Sequence, residues 1–357
     1  MLIYWLLLAF PAAAAVIALR SEDTDTRPYL LALAGFWLVY NLLSGLRFEI
    51  GGDWSNYSDM IEAIRHEPLE FALGYGDFAF NLMAWVSTRI GLDLYGINAL
   101  CSMILSAGVI TIARRTPAPW LALTAAVPYL LIVVGMGYIR QAAAIGFMLM
   151  AIAAFCDRRT LIGMACLVLG TLFHVATLLI LPLIGLALIR RNTAATVLVA
   201  LVGAVITNYA LAEGRVEAFQ AGYLDTGYSS SGTLVRILIN LVPALIYLLR
   251  RKALNLDPIE DMIWSLVAVA CILCVPAFLL SPSSTAVDRV GLFFSPIQVF
   301  VFGYLLRALQ DRGPVAVLVA LGVIAYCAAI QFVWLGWADN SEYWVPYRSI
   351  LDRTAIR

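Results

Sequence analysis

The chain has 357 residues, 62% of them hydrophobic and 13% charged, with a mean hydropathy of +0.89. A soluble core cannot absorb that much apolar sequence, whereas a bilayer can, and zero net charge removes the basic field that nucleic-acid binding requires. The composition predicts an all-α, polytopic integral membrane protein.

In chain order, MLIYWLLLAFPAAAAVIALR lacks the basic start of a signal peptide and reads as a first span at 2–19. Apolar runs near bilayer length follow at 28–46, 95–113, 119–137, 139–156, 160–174, 176–189, 194–212, 234–250, 262–281, 290–307 and 314–335, for twelve helices in all. A shorter segment at 76–91 carries Asp77, Asn81 and Arg89 and is a thirteenth candidate. There is no soluble domain, long linker or clear internal repeat, so residues 1–357 read as one transmembrane domain.

Lys252 is the lone lysine among 23 basic residues, so the abundance of arginine says little and its placement must carry the argument. Arg114–Arg115, Arg158–Arg159, Arg190–Arg191, Arg250–Arg251–Lys252 and Arg307 with Arg312 fall on every second loop, which assigns those loops to the cytoplasm. The other side then receives 47–75, Arg140, His174, 213–233, 282–289 and the tail from 336, provided that 76–91 lies in the interface or re-enters.

Three clusters fall on that outer side. In VVGMGYIRQAAAIGF, Arg140 and Gln141 interrupt an apolar stretch, and ionised arginine in hydrocarbon costs several kcal/mol. The small residues Ala142, Ala143, Ala144 and Gly146 favour close helix packing, which would turn Arg140 toward a protein-lined cavity rather than the headgroups. In LRFEIGGDWSNY, Arg47, Asp53 and Tyr57 surround a Gly51–Gly52 turn, followed by Glu70, Tyr75 and Asp77. This loop reads either as a solvated interfacial segment or as a clamp for a sugar or pyrophosphate. In TLFHVAT, His174 sits in a tight turn, and Thr171, His174 and Thr177 would form a polar stripe on a helix. Arg215, Arg236, Arg289, Tyr347 and Arg348 complete the outward set, which suits a substrate with an anionic head and a lipid tail. The six cysteines lie in apolar runs, and the CxxC of Cys271 and Cys274 has no further ligands, so no metal is expected.

The ordered set Arg47…Gly51-Gly52-Asp53…Tyr57, Glu70 with Gly74-Tyr75, Tyr138-Ile139-Arg140-Gln141-Ala142-Ala143-Ala144, Leu172-Phe173-His174 and Tyr343-Trp344-Val345-Pro346-Tyr347 resembles the EpsG family of Wzy-type bacterial polysaccharide polymerases. The family's acidic stretch is spread here over Glu70–Tyr75, with Asp77 sharing its role. The resemblance implies a GT-C-like membrane glycosyltransferase in the bacterial inner membrane. At the outer leaflet it would transfer an undecaprenyl-pyrophosphate-linked glycan onto a lipid-linked repeat unit. It implies no cofactor, leaves a bridging Mg²⁺ open, and points to the bilayer and a chain-length regulator protein as further partners. Arg140, Arg289 and Arg47 would meet the pyrophosphates, and His174 or Asp53 would serve as the base. Three rivals stand beside this reading. A flippase would tend to show two related halves; a membrane acyltransferase would want a histidine deep in a span; an O-antigen ligase differs only in acceptor.

Overall fold

The computed structural model describes residues 1–20, 27–74, 76–188, 232–281, 283–309 and 313–354, with short helical pieces at 196–197, 199–201 and 203–205. Among the described residues the secondary structure is helical, with one isolated bridge between Arg47 and Ser349. The helices are α1 (Leu2–Arg20), α2 (Arg27–Gly45), α3 (Trp54–Ile64), α4 (Leu69–Gly74), α5 (Phe78–Arg89), α6 (Asp93–Ala113) and α7 (Pro119–Ala126). A π-helix over Val127–Val134 and a single turn α8 (Gly135–Gly137) continue α7. There follow α9 (Ile139–Cys156), α10 (Thr160–Phe173), a 3₁₀ segment Val175–Ile180 and α11 (Leu181–Leu188). The C-terminal part comprises α12 (Thr233–Leu254), α13 (Pro258–Leu280), α14 (Ser284–Gly291), α15 (Ile297–Leu309), α16 (Pro314–Trp337) and α17 (Ile350–Thr354).

The twelve expected helices prove unequal. Among the described residues seven are long and apolar enough to cross a bilayer, and α14 with α15, bent by 42° at their break, makes an eighth. Tyr29–Gly45, Thr160–Phe173 and Val175–Leu188 are apolar but shorter, and most of 194–212 lies outside the described residues. The segment at 76–91 forms α5, whose 12 residues extend only about 18 Å at 1.5 Å per residue, against roughly 30 Å of hydrocarbon. Its two ends meet the same end of the bundle. Asp77 pairs with Arg140 at one, while Arg89 donates to the carbonyls of Arg65 and Glu67 at the other.

Small residues set the central packing. A Cβ added to Gly108 of α6 would run into the backbone of Gly146 in α9, and one on Gly146 would run into Ile104 and Leu105. Those two helices therefore touch backbone to backbone, as the Ala142–Gly146 stretch led one to expect. The continuous stretch from Trp120 to Gly137 is wholly buried and runs through the bundle's interior. Pro128 lacks the N–H that an α-helix would use, and the chain widens there into the π-helix. Two distant side chains serve carbonyls of that segment. The Tyr40 hydroxyl donates to Leu131 at 3.1 Å, and Nε1 of Trp344 donates to Ile132 at 3.2 Å.

Ion pairs hold the far end of the bundle. Arg115, just beyond α6, meets Asp157 at 2.5 Å and Glu260 at 3.5 Å, joining the ends of α6, α9 and α13. The opposite end carries the polar loops.

Candidate functional site

At that opposite end the chain from Tyr138 to Gln141 presents two cation sites back to back. Tyr138 breaks the helix, with φ −120° and ψ 59°, and α9 starts at Ile139, so Arg140 lies in its first turn. Its Nη1 donates to Oδ2 of Asp77 at 3.2 Å, and its guanidinium lies 5.8 Å from the ring centres of both Tyr57 and Phe80. Arg140 remains 39% exposed, which keeps it within reach of a ligand.

Arg289 arrives from α14. Its guanidinium stacks 4.1 Å above the Tyr138 ring, its Nη1 donates to Oε1 of Gln141 at 3.3 Å, and its Nη2 lies 4.0 Å from Oδ2 of Asp53. Gln141 closes the loop by donating from Nε2 to the carbonyl of Arg289 at 3.2 Å. One residue pair, Tyr138 and Gln141, thus orients the second arginine while Arg140 between them faces Asp77.

Asp53 precedes α3 in the loop that Gly51 turns with φ +104°, a conformation open to glycine, close against Met136 and Gly137. Burial raises the Asp53 pKa above the usual carboxylate value, and Arg289 and Arg140 work against that rise. Tyr57, buried beneath Arg140, has its hydroxyl pushed up to about 12, again mainly by burial. His174 ends α10 in extended geometry, with φ −159° and ψ 121°, so Thr171 and Thr177 fall on separate helical pieces and the expected continuous stripe does not form. The Thr171 hydroxyl instead donates to Leu167. Nδ1 of His174 accepts the N–H of Ala176 at 3.1 Å, capping the following 3₁₀ segment. A neutral ring that accepts at Nδ1 carries its proton on Nε2. Burial first, then Arg140 and Arg289, lower its pKa to about 3, so this imidazole stays neutral.

The structure therefore gathers Asp53, Tyr57, Asp77, Arg140, Gln141, His174 and Arg289 at one end of the bundle. The remaining expected residues lie elsewhere. Arg47 is 1% exposed, and its guanidinium donates to the carbonyls of Ser44 and Ile50 and, at 2.7 Å, to Oδ1 of Asn98. It fastens the end of α2 to α6, so the expected pyrophosphate contact is replaced by a structural one. Arg236 is consumed in a buried pair with Asp288 at 2.5 Å. Tyr347 donates to the carbonyl of Leu43 and packs edge-on against Tyr4, and Arg348 pairs with Glu49 at the surface. Glu70 is exposed on α4, and Tyr75 and Arg215 lie outside the described residues.

The tail supports the site from below. Trp344 fills the space beside Gly137, where a Cβ would come within 2.5 Å of its ring, and its carbonyl accepts the Tyr4 hydroxyl at 2.8 Å.

The EpsG family model matches residues 30–349, a span that contains every member of this cluster. The chain belongs to the EpsG family. That is a family of Wzy-like polysaccharide polymerases, and membership indicates a polymerase-type, glycosyltransferase-like function in a multi-pass membrane protein. No curated protein and no solved structure gives a match. In this EpsG chain Tyr138 stands in the motif before Arg140 with no role that the sequence assigns, and the structure places it beneath Arg289; Phe80, beneath Arg140, carries no signal in the sequence.

Proposed function

We propose that this protein is a membrane glycosyltransferase that polymerises a polysaccharide. It moves a glycan from undecaprenyl pyrophosphate onto an incoming lipid-linked repeat unit at the outer leaflet of the bacterial inner membrane. The observation that carries this reading is the convergence of Arg140, Arg289 and Asp53 at one end of the bundle, with both arginines close enough to act on the same carboxylate. Two fixed guanidinium groups suit a leaving pyrophosphate, because bidentate donors in a low-dielectric site stabilise charge as it develops. A carboxylate whose proton affinity burial has raised suits the removal of a proton from a sugar hydroxyl.

In the proposed step the acceptor hydroxyl oxygen attacks the anomeric carbon of the growing glycan. Its proton passes to Asp53, and the bond from that carbon to the pyrophosphate oxygen breaks, the electron pair leaving with undecaprenyl pyrophosphate. Arg140 and Arg289 receive the developing negative charge. His174, protonated on Nε2, donates a hydrogen bond to the sugar or phosphate and does not accept the proton. Of the two candidate bases, this leaves Asp53.

Incubation of the purified protein with synthetic lipid-linked repeat units tests the reading. A ladder of products with one lipid released per added unit supports it. Movement of intact substrate across vesicle membranes without elongation would make the protein a flippase, and transfer only to a lipid A core acceptor would make it a ligase.

A further inference from the structure

Arg289 is carried by α14, a helix of only eight residues that belongs to the first arm of the span bent by 42° at α15. A helix that short has little stability of its own, so its orientation is set by what grips it. The grip comes from α12. Arg236 and Asn240 stand four positions apart on α12 and share one face, as do Asp288 and Gly291, three apart on α14. Nε of Arg236 meets Oδ1 of Asp288 at 2.5 Å, with the two side chains 9% and 6% exposed. Nδ2 of Asn240 donates to the carbonyl of Gly291 at 3.1 Å, and Nε2 of Gln298 donates to Oδ1 of Asn240 at 3.0 Å. At the start of α14, Oγ of Ser283 accepts the N–H of Ala286 at 3.4 Å.

Successive residues on an α-helix are turned by about 100° around its axis. With Asp288 directed at α12, Arg289 is therefore turned away from it, toward Tyr138, Gln141 and Asp53. Rotating α14 by a fraction of a turn would take Arg289 off all three. Stability does not explain the ion pair. Burying two charges costs about as much as their attraction returns, and apolar residues of similar volume commonly do as well or better. Apolar contact is non-directional, whereas an arginine–carboxylate contact holds only in a narrow range of geometry.

We propose that Arg236 and Asp288 are positioning residues, whose ion pair, with the Asn240–Gly291 bond beside it, sets the rotation of α14 and so aims Arg289 at Asp53. This rests on the glycosyltransferase reading and names the part of the chain that holds one of its two arginines in place.

The charged groups acting on Asp53 are Arg289 from α14 and Arg140 from α9, and the Tyr57 and Tyr138 hydroxyls face it as well. Burial raises the Asp53 pKa and Arg289 opposes the rise, so displacing Arg289 moves ionisation of this carboxyl to higher pH. Arg236→Met combined with Asp288→Leu removes both charges and leaves no buried ion alone. The full-length double variant is expected to melt near wild type in detergent. Its kcat should nevertheless fall roughly 10- to 100-fold, the scale of a misplacement of about 1 Å. Its Asp53 should titrate at higher pH, read from the infrared carboxyl band that Asp53→Asn lacks. Wild-type kcat or an unmoved Asp53 titration in the folded variant overturns the proposal.

If the pair acts through Arg289, adding the double substitution to Arg289→Gln costs no more than about twofold further, and a full multiplying loss overturns it. Should the double variant fail to fold, Asp288→Asn, which keeps the side chain's shape, is read by the same two measurements. Wild-type protein that builds no polymer would sink the polymerase reading, while a displaced Asp53 titration in the variant would leave the positioning role standing. Polymer formation with the titration unmoved would do the reverse.

Discussion

Nδ1 of His174 accepts the backbone N–H of Ala176, and this one bond fixes which ring nitrogen holds the proton. It converts the histidine from an expected proton acceptor into a donor. His174→Gln, which retains an amide donor, is therefore expected to keep activity within about tenfold of wild type, whereas His174→Ala loses more. Polymer formed per minute by the two purified variants checks this. A Gln variant as inactive as the Ala variant would restore the base assignment to the imidazole.

The acid limb of the rate should belong to Asp53. Its carboxyl must be ionised to accept a proton, so the rate falls as pH drops through its folded pKa, which burial has raised above the ordinary value of about 3.9. Arg140 is one of the two cations opposing that rise, so Arg140→Gln is expected to move the limb to higher pH as well as slow turnover. His174, neutral down to about 3, adds no limb of its own. Rate profiles from about pH 4 to 8 for wild type, Arg140→Gln and His174→Gln read these effects. A limb that vanishes in the histidine variant contradicts the assignment.

Arg140→Lys preserves the charge and loses the planar fork set between Asp77 and the rings of Tyr57 and Phe80. Turnover should drop roughly 10- to 100-fold with the melting temperature in detergent little altered. Near-normal polymerisation would return Arg140 to a headgroup anchor.

Arg47→Ala should show the opposite pattern. It leaves the carbonyls of Ser44 and Ile50 and Oδ1 of Asn98 without their buried donor, at a cost on the order of 3 kcal/mol. Loss of thermal stability and yield, with lipid-linked substrate binding intact in the surviving folded fraction, is the expected readout. A stable but inactive variant would place Arg47 back in the site.

Ser55, exposed in α3, reports orientation. If the cluster faces outward, Ser55→Cys reacts with a membrane-impermeant maleimide before the membrane that holds the protein is permeabilised. Reaction only afterwards reverses the topology.

The membrane class and the boundaries of the long helices were legible because hydropathy is a local signal, and a charge inside an apolar run was enough to single out Arg140. Arg47 and Arg140 illustrate what was not. Both are arginines at the polar end of an apolar helix, and nothing in their neighbours' identities tells whether backbone carbonyls or an open cleft will take up the guanidinium. Arg289 depends on Gln141, 148 positions away, a relation that no window along the chain contains. The stripe drawn through Thr171, His174 and Thr177 failed because periodicity assumes a continuous helix, and the chain breaks at the histidine itself.

Trp344 joins the first helix to the interior of the bundle. Its carbonyl takes the Tyr4 hydroxyl 340 positions earlier, its indole serves Ile132, and its ring fills the gap at Gly137 three residues before Arg140. During synthesis these partners enter the membrane long before Trp344 leaves the ribosome. Until it does, an opened helical turn and a hydroxyl in hydrocarbon wait for their partner, and the wall beneath Arg140 is missing. A nascent chain would thus hold its inserted helices without a working site, and the capacity to act on substrate would arrive in one late step, when the tail docks.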